Sequence, residues 1–572
     1  MQIVSDCLKA KTSKNQQKKS KRRDISAGMT CQKDSSDDVS FEVGRISPCD
    51  DVSRINTEDS LLSSNASSVT IDNSGEVSCC AESDIEWRCC GPKSKIFFGA
   101  LLAIWGVCTV IWTPYEFSMV ERLRMRPGLP PYDWWKSPPD MVRLKVYVFN
   151  ITNADRFLSG EDSKLNLQEI GPIVYLEKLT HDDVRFNDNG TMTYVATRRA
   201  IYLPDENTID LNQTITVANL PVLGMASYFW DSPFFEKFAF NMLVSSANSN
   251  VTTKTTIYNY LWNYTDPIVE MGKNIAPKLV PVNNLGMLAR IYQNFTDTVT
   301  VYIGTENGDE KFLLIDKYDG SEYISGNGER CKEKVVNSTE GVSYPQYLTK
   351  NTTIRYWRKT MCFVVPLYYE SESEMYGLKT YKYSLANNTY DRTMPEEEDC
   401  YKSEPVLPNG LKDISQCYWD FPVATSYPHF LYGDSELKGY VDGLQPEKSK
   451  HDSFLFVEPT VGIPTTCRAT SQSNLILRKL EGFNEDIEKF SEQVIPMFWA
   501  EYHQHGLPWY IVGLMYFTVK ILPVFQIIWT VILFLSAIFL ITSGSRQHAI
   551  SRKNYLMKNK VMQYEQEVFI KA

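Results

Sequence analysis

Two uncharged apolar runs, Ile96–Trp112 and Ile521–Thr542, stand near opposite ends of a 572-residue chain, and nearly everything able to fold lies between them. A helix rising ~1.5 Å per residue needs ~17–25 apolar residues to cross ~30 Å of hydrocarbon. The second run spans comfortably. The first is at the short end and must lean on a neighbour to fit. The spacing predicts spans at 95–113 and 521–542, with a folded domain at 114–508 between them.

Basic residues set the orientation. Lys93 and Lys95 abut the first run, and Arg546, Arg552 and Lys553 follow the second, so the positive-inside bias puts both termini in the cytosol. Trp112 and Tyr115, and Trp509 and Tyr510, suit an interfacial aromatic belt. Residues 509–520 read as an interfacial segment, with the Lys520 ammonium snorkelling to the outer surface. The first run begins too far from the N-terminus for a cleaved signal peptide. Asn-X-Ser/Thr sequons agree independently: Asn150, Asn189, Asn212, Asn250, Asn263, Asn294, Asn337, Asn351 and Asn387 all lie between the spans, and only Asn65 lies outside. These are the glycosylation sites expected of a luminal or extracellular domain. A third uncharged stretch, Ile215–Trp230, carries Asn219 and Ser227 and ends at Asp231, and reads as an amphipathic surface helix.

The flanking tails differ in character. Residues 1–94 are rich in Ser, Asp and Lys and are expected to be disordered, because they bury too little apolar surface to offset chain entropy. Their basic cluster, residues 18–23, is a solvated tail or a contact for anionic cytoplasmic lipid. Cytosolic thiols stay reduced, so Cys89 and Cys90, and less so Cys79 and Cys80, are candidates for S-palmitoylation. Residues 543–572 form a second cytosolic tail.

The intervening domain reads as α+β with strands dominant. Val142–Ile151 alternates apolar residues with Arg143 and Lys145. Further strands are predicted at Thr298–Ile303, Lys311–Ile315 and Trp357–Tyr369. Helical spacing concentrates in 217–246, where Trp230, Phe234 and Phe238 recur at i, i+4, i+8, with Phe235 nearby. Five cysteines fall here, Cys331, Cys362, Cys400, Cys417 and Cys467, an odd number that leaves one unpaired or intermolecular. No C-x-x-C or matching histidine pair suggests zinc.

Several strings carry a resemblance: EIGPIVY (169–175), LWNYTDP (261–267), DISQC (413–417), SYPHFLYGD (426–434) and DGLQPEKSKHDSFLFVEPTVGIP (442–464). In their order and spacing, and with the two spans, the chain over roughly 95–545 resembles the class B scavenger receptor family. The resemblance implies a large antiparallel β-barrel-like ectodomain, an apical helical bundle over 217–246, and an internal apolar tunnel leading toward the bilayer. It implies ligand capture at the apex and passage of lipids such as fatty acids or cholesteryl esters. It also implies disulfides Cys331–Cys400 and Cys362–Cys417. The family's third bridge is absent here, since Lys402 stands at one position and 405–410 contains no cysteine. Cys467 is then single. Lysines expected after the apical helix are replaced by Ser245, Ser246, Ala247 and Asn248. The apical ligand-region candidates are Trp230, Phe234, Phe235 and Lys237, although the aromatic stripe reads as helix–helix packing before ligand contact.

The functional expectation is a scavenger receptor at the plasma membrane that binds lipid or lipoprotein-like ligands and passes lipid to the bilayer. The alternative is a lysosomal or endosomal membrane protein that binds a luminal protein partner. A homo-oligomer fits either reading. No G-x-S-x-G, P-loop or H-E-x-x-H occurs, so no enzyme, cofactor, metal or nucleic-acid role is expected. Glu501, His503 and His505 read as the polar approach to the second span, because an H-x-H aligns both rings only on a strand.

Overall fold

A computed structural model describes residues 91–275, 283–292, 296–324 and 333–571. The expectations for residues 1–90, for Asn294 and for Cys331 concern positions outside the described residues. The described residues fall within one compact unit.

The main sheet is built from long strands with alternating burial. Strand β1 (Val142–Ile151) has the predicted period, with Leu144, Val146 and Val148 fully buried. It is flanked by β2 (Leu165–Asn187), whose other neighbour is β3 (Thr191–Tyr202). A separate pair, β4 (Thr214–Ala218) and β5 (Thr252–Thr256), brackets two helices. The sheet resumes with β6 (Thr296–Tyr302), β7 (Ile315–Tyr318), β8 (Ile354–Arg358), β9 (Phe363–Met375) and β10 (Leu378–Leu385). Short strands β11 (Lys412–Asp413), β12 (Val423–Ser426) and β13 (Val441–Asp442) lead to β14 (Phe454–Glu458), β15 (Ile463–Ile476) and β16 (Val494–Gln504). The order is β7-β6-β3-β2-β1-β16-β15-β14-β10-β9-β8, antiparallel at every step.

The barrel-like expectation needs correction at one seam, because β7 and β8 do not pair and the sheet is open. A single irregular segment crosses the gap. Asn337 N–H donates to Ile315 O at 2.9 Å and Ile315 N–H to Ser338 O at 2.8 Å, while Thr339 N–H donates to Arg355 O of β8 at 2.8 Å. The turn conformations at Asn337 (φ 61°) and Gly341 (φ 86°) keep this segment from continuing as a strand.

Three sequence expectations shift. The predicted strand at Lys311–Ile315 is instead a 3-10 turn over Asp309–Lys311 followed by β7. The predicted single strand Trp357–Tyr369 is β8 and β9, broken by a turn at Lys359–Met361 with Cys362 at φ 59°. Residues 217–246 divide into the end of β4, a helix Leu220–Tyr228 and a helix Phe234–Ala247, separated at Pro233. The first of these helices is no amphipathic surface element. It is apolar all round and buries Leu220, Val222, Leu223 and Ala226, as such a helix must.

In chain order, helix α1 (Pro92–Ile111) and α2 (Pro114–Leu123) precede α3 (Pro130–Lys136) and β1, and α4 (Ala154–Ser159) follows it. The helices between β4 and β5 are α5 (Leu220–Tyr228) and α6 (Phe234–Ala247). Helices α7 (Ile257–Trp262), α8 (Pro267–Ile275) and α9 (Met287–Tyr292) come next, and short α10 (Lys448–His451) and α11 (Glu485–Glu488) lie later. Helix α12 (Trp509–Tyr516) passes through a π-turn at Phe517–Ile521 into α13 (Leu522–Lys571). Helices α1 and α12–α13 are long and apolar enough to cross a membrane. They pack on each other through glycines, where a Cβ at Gly99 would stand 2.7 Å from Ile541 Cγ1 and one at Gly544 2.9 Å from Pro92 O. Close backbone approach at small residues is how membrane helices associate without a hydrophobic drive. Thr109 and Thr530 hydroxyls meet at 3.2 Å across the same contact. This packing gives the short first span the neighbour it requires.

Candidate functional site

Period-two strands present alternate residues to one face, and here those residues enclose a cavity of about 710 Å3. Glu177 and Leu179 of β2, Tyr356 and Arg358 of β8, and Val365 and Leu367 of β9 line it. So do Cys467, Ala469 and Ser471 of β15, and Tyr502 and Gln504 of β16. The register sets Ala469 opposite Tyr502 and Cys467 opposite Gln504. The remaining wall comes from α2, α3 and α12, through Met119, Trp135, Ile511 and Met515. These helices adjoin the spans directly: α2 begins just after α1 ends, and α12 runs on into α13. No residue of α5 to α8 is among those lining the cavity. The volume lies within the ~300–1,000 Å3 usual for ligand pockets.

The apolar lining is interrupted by several charged side chains. Arg358 Nη2 donates to Glu177 Oε1 at 2.5 Å, and Arg358 lies over the Tyr502 ring with its guanidinium carbon 3.7 Å from the centroid. Arg198 Nη2 pairs with Glu340 Oε1 at 3.3 Å, and Tyr194 Oη donates to the other Glu340 oxygen at 2.5 Å. Burial opposes the Glu177 charge, but Arg358 and Arg198 outweigh it and hold the carboxyl below its ordinary range. For Glu340 burial prevails over Arg198, and its pKa is raised. Arg122 of α2 is partly buried and forms no ion pair among the described residues; its guanidinium carbon lies 5.3 Å from the Phe312 ring centroid. Its Nη2 donates to Ser343 Oγ at 3.0 Å, its Nη1 has no hydrogen-bond partner, and burial lowers its pKa to about 10.

A second polar cluster lies outside the cavity. Glu169 Oε2 accepts from His429 Nε2 at 2.6 Å and from Trp499 Nε1 at 2.7 Å, and His429 stacks on His451 with centroids 4.5 Å apart. Glu169, His429 and His451 are the one group among the described residues whose donor atoms could surround a metal ion. Their hydrogen bonds argue otherwise. Both Nδ1 atoms accept backbone N–H groups, from Gln445 to His429 and from Glu447 to His451, each at 3.0 Å. Each neutral ring therefore carries its proton on Nε2, the atom a metal would need. Burial, then His429, lowers the His451 pKa to about 4. The cluster ties β2, the turn at Pro428–Phe430, α10 and β16 together. Glu169, His429 and His451 come from three of the strings that carry the family resemblance, so those strings were the available signal for it.

The sequence-predicted positions disperse. Phe234, Phe235 and Phe238 are 67%, 81% and 51% exposed on α6, so the packing reading of the aromatic stripe is wrong. Packing falls instead to Phe240 and Val244 on the helix's other face. Trp230 is partly buried between α5 and α6. Lys237 Nζ donates to Glu481 O at 2.9 Å and lies over Phe483 at 5.3 Å. Cys362 and Cys417 form a disulfide; Cys400 is also disulfide-bonded, and Cys467 carries a free thiol. Of the sequons, Asn189, Asn212, Asn250, Asn263, Asn337, Asn351 and Asn387 are exposed. Asn150 sits within β1, its Oδ1 accepting from Thr216 N–H at 2.8 Å. Glu501 and His503 are not a polar approach to a span but part of β16. Glu501 Oε1 binds Lys145 Nζ at 2.8 Å and His503 Nδ1 at 3.0 Å. His503 stacks on His505, just past the end of β16, with ring centroids 3.7 Å apart. The charged side chains of the cavity, including Arg122, were not singled out from sequence.

Comparison with known proteins is consistent with this architecture. Residues 97–546 match the model of the CD36 family. Scavenger receptor class B member 1 of Rattus norvegicus is 27% identical over 410 residues, covering 70% of this chain and 79% of its own length. The Bos taurus protein of the same name is 24% identical over 412 residues, covering 71% and 79%. Lysosome membrane protein 2 of Homo sapiens is 25% identical over 393 residues, covering 66% and 78%.

Proposed function

The chain belongs to the CD36 family, and on that premise we propose that this membrane receptor binds lipid or lipoprotein-like ligands at its ectodomain and passes lipid to the bilayer. The observation that carries the reading is the cavity, which is walled by residues of nine strands and bordered by helices contiguous with both spans. An acyl chain entering it gains ~0.8 kcal/mol per CH2 removed from water. Transfer onward to hydrocarbon needs no energy input down a gradient. On this reading the termini are cytosolic, the exposed sequons carry glycans and the protein resides in the plasma membrane.

The test is to fill the cavity without touching the outer surface. Ala469→Trp puts an indole between β15 and β16 where they line the cavity. Labelled-lipid uptake by cells should fall to background while surface expression and particle binding persist. Uptake equal to wild type would remove the cavity from the pathway.

One observation favours a second reading, a lysosomal or endosomal receptor for a luminal protein. The exposed Phe234, Phe235 and Phe238 face on α6 is an apolar patch of the sort partners cover. Imaging a tagged protein separates the two, by late-endosomal overlap against a plasma-membrane rim.

A further inference from the structure

Eight charged residues line the cavity. Glu177 is paired with Arg358, Glu340 with Arg198 and Glu121 with Arg126, and Arg468 donates to the Asp452 and Ser449 carbonyls. The remaining one is Arg122. It forms no ion pair among the described residues. The carboxylate acting on it from a distance, Glu458, is itself buried and engaged by Val461 N–H at 2.8 Å. Ser343 is also committed, donating to Gly462 O at 3.2 Å while it accepts from Arg122. A charged nitrogen that is buried without a partner, as Arg122 Nη1 is, is costly unless something completes it. The Arg122 guanidinium carbon lies 5.3 Å from the Phe312 centroid, and Met119, Met125 and Met515 line the same cavity, which offers apolar surface for a chain.

We infer that Arg122 is the headgroup receptor of the cavity, selecting lipids with a single anionic head, a carboxylate or a phosphate monoester, over neutral lipids. This rests on the cavity being a lipid site, as proposed above. The free Nη1 donor supplies a charge-assisted hydrogen bond to the head, and the apolar wall takes the tail. The headgroup then sits on α2, next to the helices that enter the membrane, so charge is handled at the bilayer end of the route.

The experiment uses full-length protein in nanodiscs and three fluorescent probes: cis-parinaric acid, its methyl ester, and a lysophosphatidate bearing the same chain. Wild type should bind the acid or the lysophosphatidate at least about tenfold more tightly than the ester, the scale of one charge-assisted hydrogen bond. Arg122→Gln should erase that preference and leave ester affinity within about twofold, which also shows that the cavity stays folded. Whichever charged probe is preferred identifies the head. Inorganic phosphate should not displace the bound acid at equal concentration, and displacement would overturn the idea by showing that the tail contributes nothing. Unchanged acid affinity in Arg122→Gln, or equal loss for acid and ester, would overturn it while leaving the lipid reading intact. Failure of wild type to bind any of the three would remove the lipid reading and this inference together.

Discussion

Replacing Arg358 by methionine, which keeps the stem and deletes the charge, isolates the electrostatics of the cavity wall. The Arg358 and Glu177 side chains are 9% and 5% exposed and pair at 2.5 Å. Removing one member of such a pair leaves the other charged and buried, at ~3–5 kcal/mol. Arg198 also faces Glu177, which favours the lower end, about 3 kcal/mol. With ~2.1 cal/mol/K of unfolding entropy per residue over about 400 residues, each kcal/mol is worth about 1.2 °C, so Arg358→Met should melt about 4 °C below wild type. Glu177→Leu with Arg358→Met removes both charges and should recover most of that loss, because a buried pair exchanged for apolar groups is roughly neutral. The pH dependence has a definite sign. Wild-type Glu177 has a lowered pKa, so its stabilisation is present above the ordinary value of 4.5 and lost as pH falls. The gap between wild type and Arg358→Met should therefore narrow in acid. Scanning calorimetry of purified protein in detergent, at neutral pH and below 4.5, measures all three forms. Additive losses in the double variant, or a gap that widens in acid, would refute the reasoning.

Other expectations follow from separate parts of the fold. Glu501, against burial, is held to about 2 by His503 and Lys145, so its stabilisation is full above 4.5 and lost between 4.5 and 2. Glu501→Gln should flatten the melting temperature over that window. The Cys362–Cys417 bridge closes a loop of 55 residues, worth about 4 kcal/mol by chain entropy. Paired serine substitution should cut surface expression sharply by immunoblot of the biotinylated fraction. Asn150 is locked inside β1, whereas Asn351 is exposed, so Asn351→Gln should increase gel mobility by one glycan and Asn150→Gln should leave it unchanged. Oxidative cross-linking of Thr109→Cys with Thr530→Cys should be efficient, and Gly99→Leu should suppress it by separating α1 from α13.

Local pattern carried some elements and not others. Strand β1 was legible because burial alternates from Arg143 to Val148, the stretch where Arg143 and Lys145 alternate with apolar residues. The β8–β9 break was not, since the turn depends on Cys362, whose left-handed backbone and distant partner Cys417 leave no local mark. Helix α5 was misplaced on the surface because Asn219 and Ser227 suggest a polar face. Both are buried: Asn219 Nδ2 donates to Asp266 Oδ2 at 2.8 Å and Ser227 Oγ to Ile476 O at 2.8 Å. The cavity was out of reach for a different reason. Its wall is assembled from same-face residues of strands more than three hundred positions apart, and Arg122 differs from Arg124 and Arg126 only in what the fold places over it. Those two instead pair with Glu121 in partly exposed positions.

The central claim is that the cavity holds lipid. Mass spectrometry of lipids retained by purified full-length protein, wild type beside Ala469→Trp, tests it without presupposing a ligand. The account predicts a lipid retained near one per protein by the wild type and lost from the variant. Equal retention by both, in proportion to the detergent-carried membrane lipid, would contradict it.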